Sequence, residues 1–447
     1  MKLNKIKTIA MIGGATLFCA GAVPAQAQSA DALLDKLVEK GILTAQEAKD
    51  LKAESNKSPN ESYAAKTSAP SWINNVKLSG DLRLRFDALF PEDGLDVADR
   101  YRFRLRLRYG AVWTATDWAT IGVRLGTGDA RSSGDDGNPN SNNQTFTHFF
   151  SKKPIYLDAA YVTLRPPEAE WISITGGKMN KILFEPGMNS PIVYDPDLTP
   201  EGAVEQVSFK FGEHQQFQVF ANVGEFILDE IATSSSDPYM FDGQLGVTAS
   251  MLGDPKAPRL KTTVAAGYLS TEHLPGIPTA DGSPNRGNAT AGGAWVGNYE
   301  VGYGRGEAAF KICDHPFLGT PAMLTVGAEV DKNLNDAFDN FGDQTTAWTA
   351  QVMFGQLAKR GQWTVAYQYK YVEADAVLDS LSDDDFGGTD RQGHVVKAFY
   401  NVRDWWSVGT TAYITEKITD RSNTGHNALG IDGEQQIRVF VDTIFKF

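Results

Sequence analysis

From Val76 to Phe447 the chain alternates apolar and polar residues with a period of two, and this limits the fold more than any other feature. In the clearest stretch Tyr101, Phe103, Leu105, Leu107 and Tyr109 alternate with Arg100, Arg102, Arg104, Arg106 and Arg108. Successive side chains of a strand point to opposite faces, so one face here is apolar and the other cationic. Leu82, Leu84 and Phe86 alternate likewise with Asp81, Arg83 and Arg85, and Ile121, Val123 and Leu125 lie opposite Thr120 and Arg124. Half-polar strands of this kind belong to antiparallel sheets with one wetted face, not to buried parallel sheets.

Sixteen such strands can be counted, starting near 76, 100, 119, 155, 171, 203, 216, 240, 259, 299, 323, 345, 363, 392, 407 and 435. Their connections alternate between seven short turns and eight long loops rich in Gly, Asp, Asn and Ser; 180–202 is the third long loop and 376–391 the seventh. Segregated loop lengths point to an all-β, 16-stranded antiparallel transmembrane β-barrel over 76–447, since a soluble sandwich has no reason to sort its loops. The last strand sets Ile437, Val439, Val441, Phe445 and the terminal Phe447 opposite Arg438, Asp442 and Lys446. Aromatics near strand ends (Tyr101, Tyr109, Trp113, Trp118, Trp171, Trp363, Trp405, Trp406) suit interfacial girdles. The mean hydropathy of −0.30 argues only against helical spans, because every second residue of a barrel strand faces water.

Residues 1–27 read as a secretory signal: Lys2, Lys5 and Lys7 precede the apolar run from Thr8 to Val23, and Ala25-Gln26-Ala27 supplies small residues for cleavage. Residues 28–55 form a short N-terminal periplasmic helical segment, with Leu33, Leu34, Leu37 and Val38 on one face and a Thr44/Glu47 capping box. Residues 56–75 read as a linker. These signals place the protein in a Gram-negative outer membrane with both termini periplasmic, in contact with lipid and lipopolysaccharide. A net charge of −13 speaks against nucleic-acid binding.

The polar parity must be the lumen. An Arg on the lipid face at mid-membrane costs about 2–4 kcal/mol, so the opposite assignment of Arg83, Arg85, Arg102, Arg104, Arg106 and Arg124 costs on the order of 10 kcal/mol or more. The expected pore-lining residues are therefore Arg83, Arg85, Arg102, Arg104, Arg106, Arg108 and Arg124. Like charges about 7 Å apart on one strand face repel, so the column calls for facing carboxylates or mobile anions. Asp81 and Asp87 on the neighbouring strand supply some relief.

Ala32 to Thr44 resembles the segment that follows the signal peptide in the family known as Putative porin. Gly177-Lys178-Met179 and Asp195-Pro196-Asp197-Leu198-Thr199-Pro200-Glu201-Gly202 resemble its mid-barrel signatures, and the pattern is distantly similar to the phosphate-selective porins O and P. The resemblance implies an outer-membrane diffusion channel for small hydrophilic solutes and ions, and a homotrimer as in other sixteen-stranded porins. In such porins the third loop folds into the barrel and constricts it, which brings Glu185, Asp195, Asp197 and Glu201 toward the arginines.

Anion or phosphate selectivity is the alternative within this class. Outside it stand a hydrolase built on Ser422 and His426, and a barrel that tethers the envelope through its N-terminal segment. The chain is read as no enzyme: it has no GxSxG elbow and no P-loop. No cofactor or metal site is expected, since the six histidines are scattered, and Asp383-Asp384-Asp385 with Asp390 lacks EF-hand spacing and reads as a solvated loop. Gly302, Gly304, Gly306 and Ala308 put a flat strip on the outward face of strand ten, fit for packing against another subunit.

Overall fold

The computed structural model describes residues 44, 46–47, 71–91, 98–130, 137–187, 189–254, 257–279, 287–419 and 435–447. The chain divides into two compact units, Met1–Lys77 with Trp113–Ala115, and Leu78–Val112 with Thr116–Phe447. Of the expected N-terminal helical segment, the described part is the capping box. Thr44 N donates to Glu47 Oε2 at 2.8 Å and Glu47 N donates to Thr44 Oγ1 at 3.2 Å. A 3-10 turn, Ser71–Asn75, precedes the first strand in sequence.

The strands are β1 (Val76–Pro91), β2 (Arg100–Thr116), β3 (Ala119–Thr127), β4 (Ile155–Leu164), β5 (Ile172–Lys178), β6 (Glu201–Phe211), β7 (Phe217–Ile227) and β8 (Tyr239–Asp254). They continue as β9 (Ala257–Glu272), β10 (Glu300–Lys311), β11 (Met323–Asn333), β12 (Thr346–Gly355), β13 (Trp363–Val372), β14 (Arg391–Arg403), β15 (Trp406–Lys417) and β16 (Gln435–Lys446). Every strand start expected from the alternation falls within two residues of its observed place. Three two-residue strands lie in the long loops; one of them, Gln144–Thr145, pairs with Arg104 and Leu105 of β2.

Each strand pairs antiparallel with the next, and β16 returns to β1 from Lys446↔Asp81 to Gln436↔Pro91, so the sheet closes. Closure satisfies the backbone of every strand, as a bilayer requires. At the seam Gly80 N donates to Phe447 O at 2.7 Å and Phe447 N to Gly80 O at 3.0 Å. A Cβ on Gly80 would stand 2.5 Å from Arg108 O and 2.6 Å from the Phe447 ring, so the last strand seats only against glycine.

The barrel is inside out by the standards of a soluble protein. Leu84, Phe103, Leu245, Val264 and Val330 are exposed on its outside, with Phe103 at 62% and Leu245 at 68%. Their strand neighbours Arg85, Arg104, Gln244, Thr263 and Glu329 are buried within. Arg85 and Arg104 thus share the buried face with Gln244 and Glu329, opposite the exposed apolar one. At the short-turn end Trp171 stacks on Phe209, Phe211 on Phe217, and Trp406 on Phe445, forming the girdle.

The hydrophobic core lies inside the barrel and is built largely from loops. Met179, Leu183, Ile192, Val193, Tyr194 and Leu198 of the third long loop pack against Val204, Phe226, Met240, Leu269, Val301 and Tyr303 of the inner wall. Val377 and Leu378 of the seventh loop join the same cluster. Burying one such side chain stabilises by about 1.5–3 kcal/mol, enough to hold a loop within the barrel.

Candidate functional site

The arginine face of β2 is met by a ladder of carboxylates from β1 and from loops. Asp87 of β1 takes Arg102, Arg104 at 3.5 Å, and Arg438 of β16 at 3.1 Å. Asp81 takes Arg106 at 3.0 Å and Arg108 at 2.8 Å. Arg85 binds Asp442 with both Nε and Nη2, at 2.8 and 2.9 Å, while its guanidinium carbon lies 3.7 Å from the centre of the Phe440 ring. Arg124 pairs with Asp158 and donates to Asn180 at 2.6 Å. Among the described residues Arg83 alone of the seven predicted arginines has no carboxylate partner; its Nη2 donates to Asn143 Oδ1 at 2.7 Å.

The third long loop, 179–200, crosses this interior. Gly177 and Gly202 face each other at its root, where β5 meets β6, both with positive φ (118° and 150°). A Cβ would stand 2.3 Å from Ala160 O at the first and 1.9 Å from Glu225 O at the second, so both places demand glycine. From there the loop hydrogen-bonds along the inner wall. Phe184 bonds Gln244 of β8, Gly187 bonds Glu307 of β10 and Gln351 of β12, and Ser190 bonds Gln368 of β13. Tyr194 Oη donates to Asp242 at 2.7 Å. On the far side Asp197 Oδ1 reaches Arg106 at 3.1 Å and Arg108 at 3.6 Å.

The four predicted loop acids therefore take different places. Asp197 meets the arginine column; against the push of burial, Arg106, Arg83 and Arg108 hold its carboxyl well below the usual range. Asp195 is buried against the seventh loop, its amide donating to Leu381 O at 2.7 Å. Glu185 pairs with Lys181 at 2.8 Å, and burial pushes its carboxyl up despite Lys181 and Arg305. Glu201 opens β6, exposed, and pairs with Lys178 at 2.7 Å.

The seventh loop corrects the reading of 376–391 as a solvated outer segment. It turns into the barrel: Val377, Phe386, Asp379, Asp383 and Asp390 are buried. Asp385 ties the loop to the basic wall, 2.9 Å from Arg438 and 3.4 Å from Arg85. Arg438 escaped the arginine count because β16 lies beside β1 only through closure. Arg305, paired with Glu329 at 2.8 Å, and Lys370, on Pro191 O at 2.6 Å, escape it because neither belongs to a run of alternating arginines. Ser422 and His426 lie outside the described residues.

Among the described residues a cavity of about 700 Å³ lies within the barrel. Arg83, Arg85, Arg106 and Lys397 line one part of it; Asp195, Asp197, Asp383 and Asp385 line another. Residues near the short turns, among them Gln356, Leu357 and Lys446, also line it.

A family profile described as "Putative porin" matches residues 95–273 and 324–432, more than half of the chain. The chain belongs to this family. Family and barrel together make the protein an outer-membrane porin, and they point to a channel rather than an enzyme. Among solved structures, that of Pseudomonas putida OprB at high pH is similar at 11% identity and TM-score 0.50, over 86% of this chain and 97% of that one. A loop-deletion form of OmpT, an outer membrane protein of Vibrio cholerae, aligns at 12% identity and TM-score 0.44, over 83% of this chain and 100% of that one. A multiple mutant of Rh. blastica porin aligns at 11% and 0.43, with the same coverage. Identities this low speak to the fold alone. No curated protein matches the chain.

Proposed function

We propose that this porin passes small hydrophilic solutes and ions passively, through a pore lined by Arg83, Arg85, Arg102, Arg104, Arg106, Arg108 and Arg124 and narrowed by the third long loop. The observation that carries the proposal is the path of that loop, from its glycine root across the inner wall to Asp197 on Arg106 and Arg108. Six of the seven arginines face a carboxylate. A compensated wall gives a strong transverse field and little net charge, which favours general diffusion over anion or phosphate selectivity. No covalent step is involved.

Liposome swelling with neutral sugars of increasing size tests the proposal. Swelling should occur and slow steeply with solute size; liposomes that do not swell with any sugar would overturn it.

The organisation along the chain is part of the same proposal. Residues 1–27 direct export and are removed, 28–55 lie in the periplasm, 56–75 link them to the barrel, and both termini and the short turns face the periplasm. Three copies associate through outward surface such as Gly302, Gly304 and Gly306, which sit between the inward-facing Val301, Tyr303 and Arg305. Cross-linking between cysteines introduced on that strip should give a trimer band; monomer alone would refute the arrangement.

A further inference from the structure

On the outside of the barrel the second long loop carries an apolar projection. Gln144 and Thr145 pair with Leu105 and Arg104 of β2, and Phe146 N donates to Phe103 O at 2.9 Å. Phe146 thus stands opposite Phe103, and both rings are exposed on the lipid side. The chain then turns away from the wall. His148, Phe149 and Phe150 follow one another at φ 54°, 50° and 69°, and Ser151 N closes the turn on His148 O at 3.1 Å. Three successive non-glycine residues in the left-handed region are a rare conformation. The rings of Phe149 and Phe150 stand clear of the protein, 101% and 103% exposed.

The height of this turn is set by β4, which begins at Ile155, just beyond it, and ends at Leu164. The next residue, Arg165, donates its amide to Trp118 O at 2.7 Å at the short-turn end. Ten residues at about 3.4 Å each, on a strand tilted by about 40°, rise about 25 Å, which is the height of the apolar band of a membrane barrel. The turn therefore lies at the far edge of that band, where acyl chains meet headgroups. Its charges suit the place. Residues 138–157 contain no acid, although the whole chain carries −13, and Lys152 and Lys153 directly follow the rings and Ser151. Lys153 Nζ donates to Ser151 Oγ at 3.4 Å, and among the described residues neither lysine has an ion pair. Aromatic rings settle at this level of a bilayer, and lysines beside them meet anionic headgroups.

We propose that 146–153 is a lipid anchor: Phe149 and Phe150 enter the acyl layer at the long-loop end of the barrel, and Lys152 and Lys153 hold the phosphate of a lipid headgroup. Lipid is favoured over a second copy because Phe146 joins the turn to the lipid-facing wall at Phe103. The anchor requires that the barrel lie in a bilayer and not that it conduct, so its failure leaves the channel reading standing.

The test uses the full chain refolded in dioleoylphosphatidylcholine vesicles, with a fluorophore on Thr147→Cys in a Cys19→Ser/Cys313→Ser background. A rising fraction of the lipid is replaced by phosphatidic acid or, in parallel, by phosphatidylcholine, each bearing a nitroxide on its acyl chain near the headgroup. Each lysine at an anionic lipid surface contributes about 1 kcal/mol, roughly fivefold in binding, so half-quenching should need about thirtyfold less phosphatidic acid than phosphatidylcholine. Lys152→Gln/Lys153→Gln should bring the two midpoints together while quenching persists, and Phe149→Ser/Phe150→Ser should lose quenching by both lipids. Heat-modified gel migration reports whether each variant folds; should the double lysine variant fail, Lys152→Gln, expected to lower the ratio about fivefold, decides. Equal midpoints without these substitutions, or quenching by phosphatidic acid relieved by inorganic phosphate, would overturn the headgroup contact. A label quenched by aqueous iodide and by neither lipid would show a solvated loop, and one shielded from lipid and iodide alike would show a second copy seated there; either result overturns the anchor.

Discussion

Replacing Asp197 by Asn removes the carboxylate that the third loop sets against the arginines of β2 while keeping the side-chain shape. Asp197 Oδ1 lies 3.1 Å from Arg106 and 3.6 Å from Arg108. At an effective dielectric constant of about 20 each attraction is about 5 kcal/mol before desolvation is subtracted. Both guanidiniums keep Asp81, at 3.0 and 2.8 Å, so neither charge is stranded. The expected loss is therefore at the low end of that for breaking a buried pair, about 3 kcal/mol, or roughly a hundredfold shift in the docked population of the loop tip. In planar-bilayer recordings Asp197→Asn should raise open-channel noise and move the reversal potential in a KCl gradient toward that of chloride. Noise and reversal potential equal to wild type would refute the placement of Asp197 in the conducting path.

The same pair fixes a pH dependence. Because the folded Asp197 carboxyl is held below its free value of about 3.9, its contribution is complete above that pH and is lost as pH falls through the folded value. Wild-type noise should thus stay level from pH 7 to 5 and rise only below about 4, while Asp197→Asn shows no such rise; a wild-type transition near neutrality would contradict this. Asp87→Asn should destabilise the barrel by about 3–5 kcal/mol, because a fully buried carboxylate serves Arg102, Arg104 and Arg438. Urea unfolding in detergent measures it, and an unchanged midpoint would count against the ladder. Gly202→Val should depress folding yield, since a Cβ there meets Glu225 O at 1.9 Å, whereas Gly176→Ala, with Gly202 O at 3.9 Å, should refold as wild type does. Equal yields would remove the steric reason for glycine at the loop root.

The alternation carried most of the fold because it reports which face each residue turns to lipid, and that is decided residue by residue along a strand. It locates the strand starts and sets Asp81 and Asp87 beside the arginines of β2. It is silent on Arg438 meeting Asp87, a contact that depends on closing the sheet between residues 351 positions apart. Loops were harder to read, because the direction of a loop is a tertiary outcome. The acids of the seventh suggest a solvated segment, yet Val377, Leu378 and Phe386, interspersed among them, are the apolar signal that pulls it inward. Within the third loop, position alone did not separate Asp197 on the arginines from Glu201, which already belongs to a strand and faces outward.

The central claim is that a conducting pore runs along the arginine wall, and single-channel recording across a KCl gradient tests it most directly. Discrete conductance steps are predicted for the wild type and for Arg104→Ala/Arg106→Ala. The double variant should shift its reversal potential toward that of potassium, opposite to Asp197→Asn, because Asp87, Asp129, Asp81 and Asp197 each lose a guanidinium. Absence of steps in the wild type would contradict the channel, and an identical reversal potential in the double variant would take the arginines out of the conducting path.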